Sequence, residues 1–178
     1  MTRDQLEHVI RAAAANADTD QIVIIGSQSL LGSHPHLKHP VLTASMEVDV
    51  FPLADPDRSI LIDGAIGERS VFHETFGYYA HGVNTQTAVL PAGWRERLVP
   101  VKNENTRGNT GWCLEPHDLA VSKMVAGREK DWIFLQGMHE LGILDLEILK
   151  ARLQETVLPL AQRKELLEVR IARIVGDR

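Results

Sequence analysis

The stretch "QIVIIGSQSLLG", residues 21–32, runs Ile22-Val23-Ile24-Ile25 straight into a Gly-Ser turn. A loop later comes "SMEVDVFP", residues 45–52. The unbroken aliphatic run reads as a strand buried on both faces. Gly26 ends it, and "SQSLLG" opens a short helix with Ser27 at its N-cap. In the second stretch the pattern alternates: Met46, Val48 and Val50 point one way, and Glu47, Asp49 and Phe51 the other. Two carboxylates on one face of a strand repel each other unless a cation lies between them. Hard oxygen ligands of this kind suit Mg²⁺ or Mn²⁺. A solvent-facing acidic side of an edge strand accounts for the same pair without any metal. The Gly-Ser turn adds unhindered backbone amides, a hydroxyl and the positive end of a helix, which together suit a phosphate.

The chain around these two strands has 178 residues, long enough for a proper core and short for two full-sized domains. Its 44% hydrophobic and 24% charged content is that of a soluble globular protein rather than a disordered one. A net charge of −5 argues against a positive coat for indiscriminate binding to DNA or membranes. Cys113 stands alone, so no intrachain disulfide can form, and a cysteine-based zinc site is disfavoured. The opening "MTRDQLEHVIRAAAANAD" is charged and amphipathic, unlike a signal segment, and no apolar run approaches a bilayer's thickness. The expectation is a cytoplasmic protein of bacterial type that does not engage membranes.

Leu6, Val9, Ile10 and Ala13 recur at helical spacing and predict a first helix over 3–16. Residues 33–45 hold two prolines and no regular period, which predicts a loop. A helix is expected from near Pro56, strands in "FGYYAHGV", "TQTAVL" and "GWCLEP", and helices over 117–126, 128–141, 145–154 and 159–175. The predicted fold class is α+β (mixed α/β). It has a small mixed-sheet core over 1–115 and a helical C-terminal part over 116–178 packed on it.

"IIGSQSLLG", "SMEVDVFP", "FGYYAHGV", "LPAGWRERLV" and "EPHDLAVSKMVAGREKD" together resemble the polymerase-β-type minimal nucleotidyltransferases. The resemblance is closest to the DUF6036 group and to the abortive-infection, AbiEii-type toxin nucleotidyltransferases, and it spans about residues 20–140. It implies phosphate binding at Gly26 and Ser27, and Mg²⁺ or Mn²⁺ at Glu47 and Asp49. It implies nucleotide contacts at Lys123, Arg128, Lys130 and Asp131, with Glu47, Asp49 and Lys123 in catalysis. The first metal ligand is Glu where the family more often has Asp. A third carboxylate is usual on a neighbouring strand, and Asp63, Glu74 and Asp118 are its candidates. His81 stands in "YYAHGV", where an acid would complete the set. Arg97 and Glu104 match the family's basic-to-acid motif loosely.

If 117–131 is one helix, Lys123 and Lys130 share a face; Gly127 bends or splits it. Such cations would neutralise charge on a departing pyrophosphate; a solvated helix start with alternating charges gives the same string. His34, His36 and His39 crowd an irregular loop that lacks helical zinc spacing, so they read as surface residues. His117 reads as a helix-start residue. Trp94, Trp112 and Trp132 read as packing, with Trp94 beside Arg95 and Arg97 also able to stack a base.

The leading functional expectation is a metal-dependent nucleotidyltransferase using an NTP. Its acceptor is a tRNA end, a protein or a small molecule, and a toxin context would add an antitoxin partner. The alternative is a non-catalytic nucleotide- or partner-binding protein on the same fold. A structural domain whose acidic strand is incidental is the third reading.

Overall fold

Thr2 starts the first helix through a reciprocal cap, its hydroxyl accepting from the Gln5 amide while the Gln5 side chain accepts from the Thr2 amide. This helix, α1 (Arg3–Ala17), buries Leu6, Val9, Ile10, Ala13, Ala14 and Ala17 along one side and ends at Asp18 in the left-handed region, φ 49°. The structure, a computed structural model, describes residues 1–158 and 164–175, with no side chains described over 164–168.

The sheet has five strands: β1 (Gln21–Ile24), β2 (Glu47–Pro52), β3 (Tyr79–Gly82), β4 (Val99–Val101) and β5 (Thr110–Cys113), in spatial order β3-β2-β1-β5-β4. Pairing is mixed. β1 runs antiparallel to β2 and parallel to β5, β2 is parallel to β3, and β4 is antiparallel to β5. Short helices α2 (Leu30–Ser33), α3 (Ser59–Ile66) and α4 (Val71–Phe76) complete this part. α1 and α3 pack on each other and on the sheet, so Ile22, Ile24, Val48, Val50 and Ala80 join the α1 residues and Ile62 in one apolar core. Val23 and Phe51, opposite each other in register, are buried on the other face.

The chain divides into two compact units. The first is Met1–Thr87 with Leu98–Glu115, and the second is Ala88–Arg97 with Pro116 onward. In the second unit α5 (Pro116–Ala126) packs on α6 (Glu129–Glu140) and α7 (Leu146–Gln154), while α8 (Lys164–Val175) packs on α6 and α7. Arg97 shows why the preceding segment belongs here: its guanidinium grips both oxygens of the buried Asp118 at 2.9 Å, and the Ala92 amide donates to the Glu155 carbonyl.

Several local expectations change. "TQTAVL" is a turn and irregular chain rather than a strand, because its one apolar stretch has no neighbouring strand to pair with. "LVPV" supplies β4 instead, its Pro100 tolerated on an edge strand. Ser27 is not the N-cap: Gly26 holds that position with no side-chain cap, and Ser27–Ser29 is a 3₁₀ turn leading into α2. Pro56–Arg58 is likewise a 3₁₀ turn ahead of α3, and the six-residue α4 was not foreseen. Met46 lies just outside β2 and is exposed. The block 117–131 is not one helix: Gly127, at φ 63°, separates α5 from α6, so Lys123 and Lys130 sit on different helices. The proposed start of the last helix at 159 lies outside the described residues.

Cys113, in β5, is wholly buried, and that burial pushes its thiol up to about 12. A thiol so raised has almost no thiolate at neutral pH. Native protein is therefore expected to be inert to a thiol-titrating reagent at pH 8 and to react fully in denaturant, with the native rate tracking global unfolding; brisk native labelling would mean that β5 opens locally.

Candidate metal and nucleotide site

β2 and β3 are parallel and in register, with Glu47 opposite Tyr79 and Asp49 opposite His81. Paired positions project from the same face, so the alternation that buries Val48 and Val50 gathers four polar side chains on the opposite side. The Tyr79 hydroxyl donates to Glu47 Oε2 at 2.8 Å. His81 Nδ1 is hydrogen-bonded to Asp49 Oδ1 at 3.2 Å and lies 3.9 Å from Glu47 Oε1. One ligand atom from each of Glu47, Asp49 and His81 falls within 4.8 Å of the other two, an arrangement that can hold a metal ion. β3 is the sheet edge, which leaves His81 half exposed and one side of the group open.

The electrostatics of the group are those of two acids held close together on one strand. Burial pushes the Asp49 carboxyl above the usual carboxylate range, the Glu47 charge adds to the rise, and His81 opposes it. Burial raises the Tyr79 hydroxyl to about 12, helped by Glu47, so Tyr79 stays a donor at neutral pH. Gly26 closes the group from β1: a methyl built there would lie 2.1 Å from Asp49 Oδ2, and the Ile25 amide donates to the Asp49 carbonyl. Gly26 therefore abuts Asp49, with Ser27 next along the chain.

Sequence reasoning missed His81 because it sought a carboxylate. The three acids it weighed go elsewhere. Asp63 accepts from the Gly82 amide, Glu74 is exposed on α4, and Asp118 is wholly buried against Arg97 and Arg152. The available signal was positional, since His81 falls two residues after Tyr79 in an edge strand and repeats the spacing of Glu47 and Asp49.

The helical block separates into two kinds of residue. Lys123 is buried, its ammonium 3.3 Å from Asp131 and 4.1 Å from the centre of the Phe134 ring. Burial lowers the Lys123 ammonium and Asp131 counteracts it. Burial alone would raise the Asp131 carboxyl, but Arg128 at 2.7 Å and Lys123 outweigh that and hold it below the usual range. Lys130 is exposed on α6. So the solvated-helix reading fails for Lys123 and Asp131, which form a buried ion pair. His39 uses Nδ1 to accept loop amides from Val41 and Leu42, while His117 Nε2 accepts from the Asp145 amide at the start of α7. Trp132 is buried with Arg170 and Arg173 over its ring, and Trp112 donates to Gln21.

A mixed sheet bearing an acid-x-acid strand against a Gly-Ser turn has the form of a nucleotidyltransferase core. The model of the family described as "Nucleotidyltransferase of unknown function (DUF6036)" matches residues 4–174, and the chain belongs to that family. No curated protein matches the chain, and no solved structure does. Among the described residues no helix is long and apolar enough to cross a membrane.

Two stability effects follow. A carboxyl whose folded pKa is raised favours the fold while protonated, and that contribution is lost as pH rises through the folded value. In chelator-treated protein at neutral pH, Asp49→Asn is therefore expected to raise Tm by about 2–4 °C, the effect of about 1 kcal/mol in a chain of this size. The gain should shrink toward acid pH, and calorimetry across that range that shows Asn and Asp alike throughout would remove the charge-repulsion account. Lys123→Met should cost about 1–3 kcal/mol in denaturant unfolding, because it strips a cation from the buried Asp131. Lys130→Ala should stay within about 0.5 kcal/mol of wild type, as surface changes do.

Proposed function

We propose that this family member is a metal-dependent nucleotidyltransferase of the polymerase-β type, moving an NMP from an NTP to a hydroxyl acceptor. The observation that carries the reading is the convergence of Glu47, Asp49 and His81 beside Gly26. The donor set fits a divalent ion: two carboxylates and an imidazole nitrogen, with Asp49 disfavoured as a bare anion. Glu47, Asp49 and His81 would hold Mg²⁺ or Mn²⁺, which when bound supplies charge neutralisation for the triphosphate.

The chain's own groups do the rest. Tyr79 holds Glu47 by one oxygen and leaves the other turned toward Asp49 and His81. Gly26 and Ser27 present backbone amides and a hydroxyl to the phosphates. An acceptor oxygen attacks the α-phosphorus in line, the α–β anhydride bond breaks, pyrophosphate leaves, and the acceptor's proton passes to a base. By the family resemblance Lys123, Arg128, Lys130 and Asp131 are the nucleotide contacts to test in the helical unit, where Lys123 and Asp131 form a buried pair and Asp131 holds Arg128. A tRNA end, a protein hydroxyl and a small molecule are the acceptors to test, and an antitoxin is the partner that the AbiEii-type likeness suggests.

One observation favours a second reading, a non-catalytic nucleotide- or partner-binding protein. His81 in place of an acid leaves the group one negative charge short of three carboxylates. The two readings separate by experiment. An NTP with Mg²⁺ or Mn²⁺ should raise Tm, since a ligand specific for the folded state stabilises by about 2.7 kcal/mol at a hundredfold excess over Kd. Glu47→Gln with Asp49→Asn should abolish the rise and also any transfer of labelled nucleotide to total tRNA or cell extract. A Tm rise without label transfer in wild type favours the binding protein. A rise that persists in the double variant puts the nucleotide elsewhere.

A further inference from the structure

We propose that His81 is a metal ligand that makes this a nitrogen-accepting site, selective for Mn²⁺ over Mg²⁺. The inference rests on the metal-dependent reading above and adds the identity of the ion.

The geometry comes from the strand pairing. Asp49 and His81 are opposite each other in parallel strands, which brings Nδ1 to 3.2 Å from Asp49 Oδ1 and 3.9 Å from Glu47 Oε1. Two ligand atoms at about 2.1 Å from one ion and at right angles to each other lie about 3 Å apart. The Asp49–His81 separation is close to that of two adjacent corners of a coordination octahedron, and Glu47, 3.9 Å from His81, lies within reach of the same ion. The hydrogen bond between His81 and Asp49 spans the space an ion would take. Tyr79 ties up Glu47 Oε2, so the oxygen left over is the one nearest His81. Because β3 is the sheet edge, the remaining corners face outward, where water or phosphate oxygens can fill them.

The ligand chemistry then chooses the ion. Mg²⁺ is small, hard and reluctant to lose water, and it takes oxygen ligands. Imidazole suits first-row transition ions, and neutral imidazole removes the third negative charge that would compensate Mg²⁺ for its dehydration. Mn²⁺ accepts both carboxylate oxygen and imidazole nitrogen. A third acid in the place of His81 would favour Mg²⁺; the histidine shifts the preference away from it.

The test uses the full chain, freed of metal and loaded with Mn²⁺ alone. Pulsed electron paramagnetic resonance should show nitrogen modulation from a directly bound imidazole in wild type and none in His81→Asp. Competition titrations should show Mg²⁺ displacing Mn²⁺ more readily from His81→Asp than from wild type, the affinity ratio falling by about tenfold or more, since even outer-shell changes act on this scale. His81→Ala, with weaker binding of both ions, guards against a misfolded Asp variant, and circular dichroism checks all three. Loss of the nitrogen signal together with the shifted ratio bears the proposal out. A wild-type protein without nitrogen modulation, or a signal that survives His81→Asp because the His34, His36 and His39 loop supplies it, overturns the proposal. If Glu47→Gln with Asp49→Asn still abolishes binding, the metal site survives that failure. Mn²⁺ binding unchanged in the double variant removes the site and the proposal together.

Discussion

The two-residue period of β2 constrains everything that bears on function. Val48 and Val50 must face the core formed by α1, α3 and β1, and they are wholly buried there. That requirement sends Glu47 and Asp49 to the opposite face. A slip of one residue would bury both carboxylates and expose both valines, an exchange that costs several kcal/mol for each unpaired charge in an apolar setting. The register with β3 extends the same logic, for Ala80 joins the core while Tyr79 and His81 face the acids. The site is thus positioned by hydrophobic burial on the far side of the strand. No hydrogen bond among the polar groups has to provide the alignment.

The helical unit solves a different problem, that of burying charge. Asp118 takes Arg97 and Arg152, and Asp131 takes Lys123 and Arg128. Buried pairs of this kind add little net stability over an apolar filling, but losing one member is expensive. Arg97 comes from the segment before β4 and Arg152 from α7, so Asp118 on α5 gathers three separate stretches of chain onto one carboxylate. The Ala88–Arg97 segment has no helix or strand of its own beyond the 3₁₀ turn at Trp94–Arg97, and this clamp ties it to α5.

What was legible in the sequence follows from which interactions are local. α1, β2 and the later helices announce themselves through periodicity, because burial on one side leaves its mark every two or every 3.6 residues, and β1 through an unbroken aliphatic run buried on both faces. β4 did not, since three residues broken by Pro100 carry almost no period and the strand exists only through its pairing with β5. "TQTAVL" misled for the converse reason, having a strand-like composition and no neighbour. The acidic pair and the Gly-Ser turn were readable, and their adjacency followed from the antiparallel β1–β2 pairing. His81 was not, because its membership depends on which residue of β3 faces Asp49, a matter of register between strands about thirty residues apart that no single stretch of chain records. Lys123 was read as a phosphate contact rather than a buried pair, because a lysine's burial depends on the helices packed around it.

Gly26 shows how the reason for a residue can differ from the one its type suggests. Glycine at a strand end is usually read as conformational freedom, yet here φ is −87° and ψ −169°, a backbone open to any residue. What forbids a side chain is space: Asp49 Oδ2 occupies the place where a methyl would stand. A carboxylate pressed so close to the backbone has one flank sheltered from water, which is why burial heads the causes that raise its pKa. The same closeness sets the 3₁₀ turn that begins at Ser27 directly after the point where β1 meets Asp49. One missing methyl therefore lets the turn after β1 meet the acidic strand β2, and any larger residue at position 26 would have to push the Asp49 carboxylate from its place.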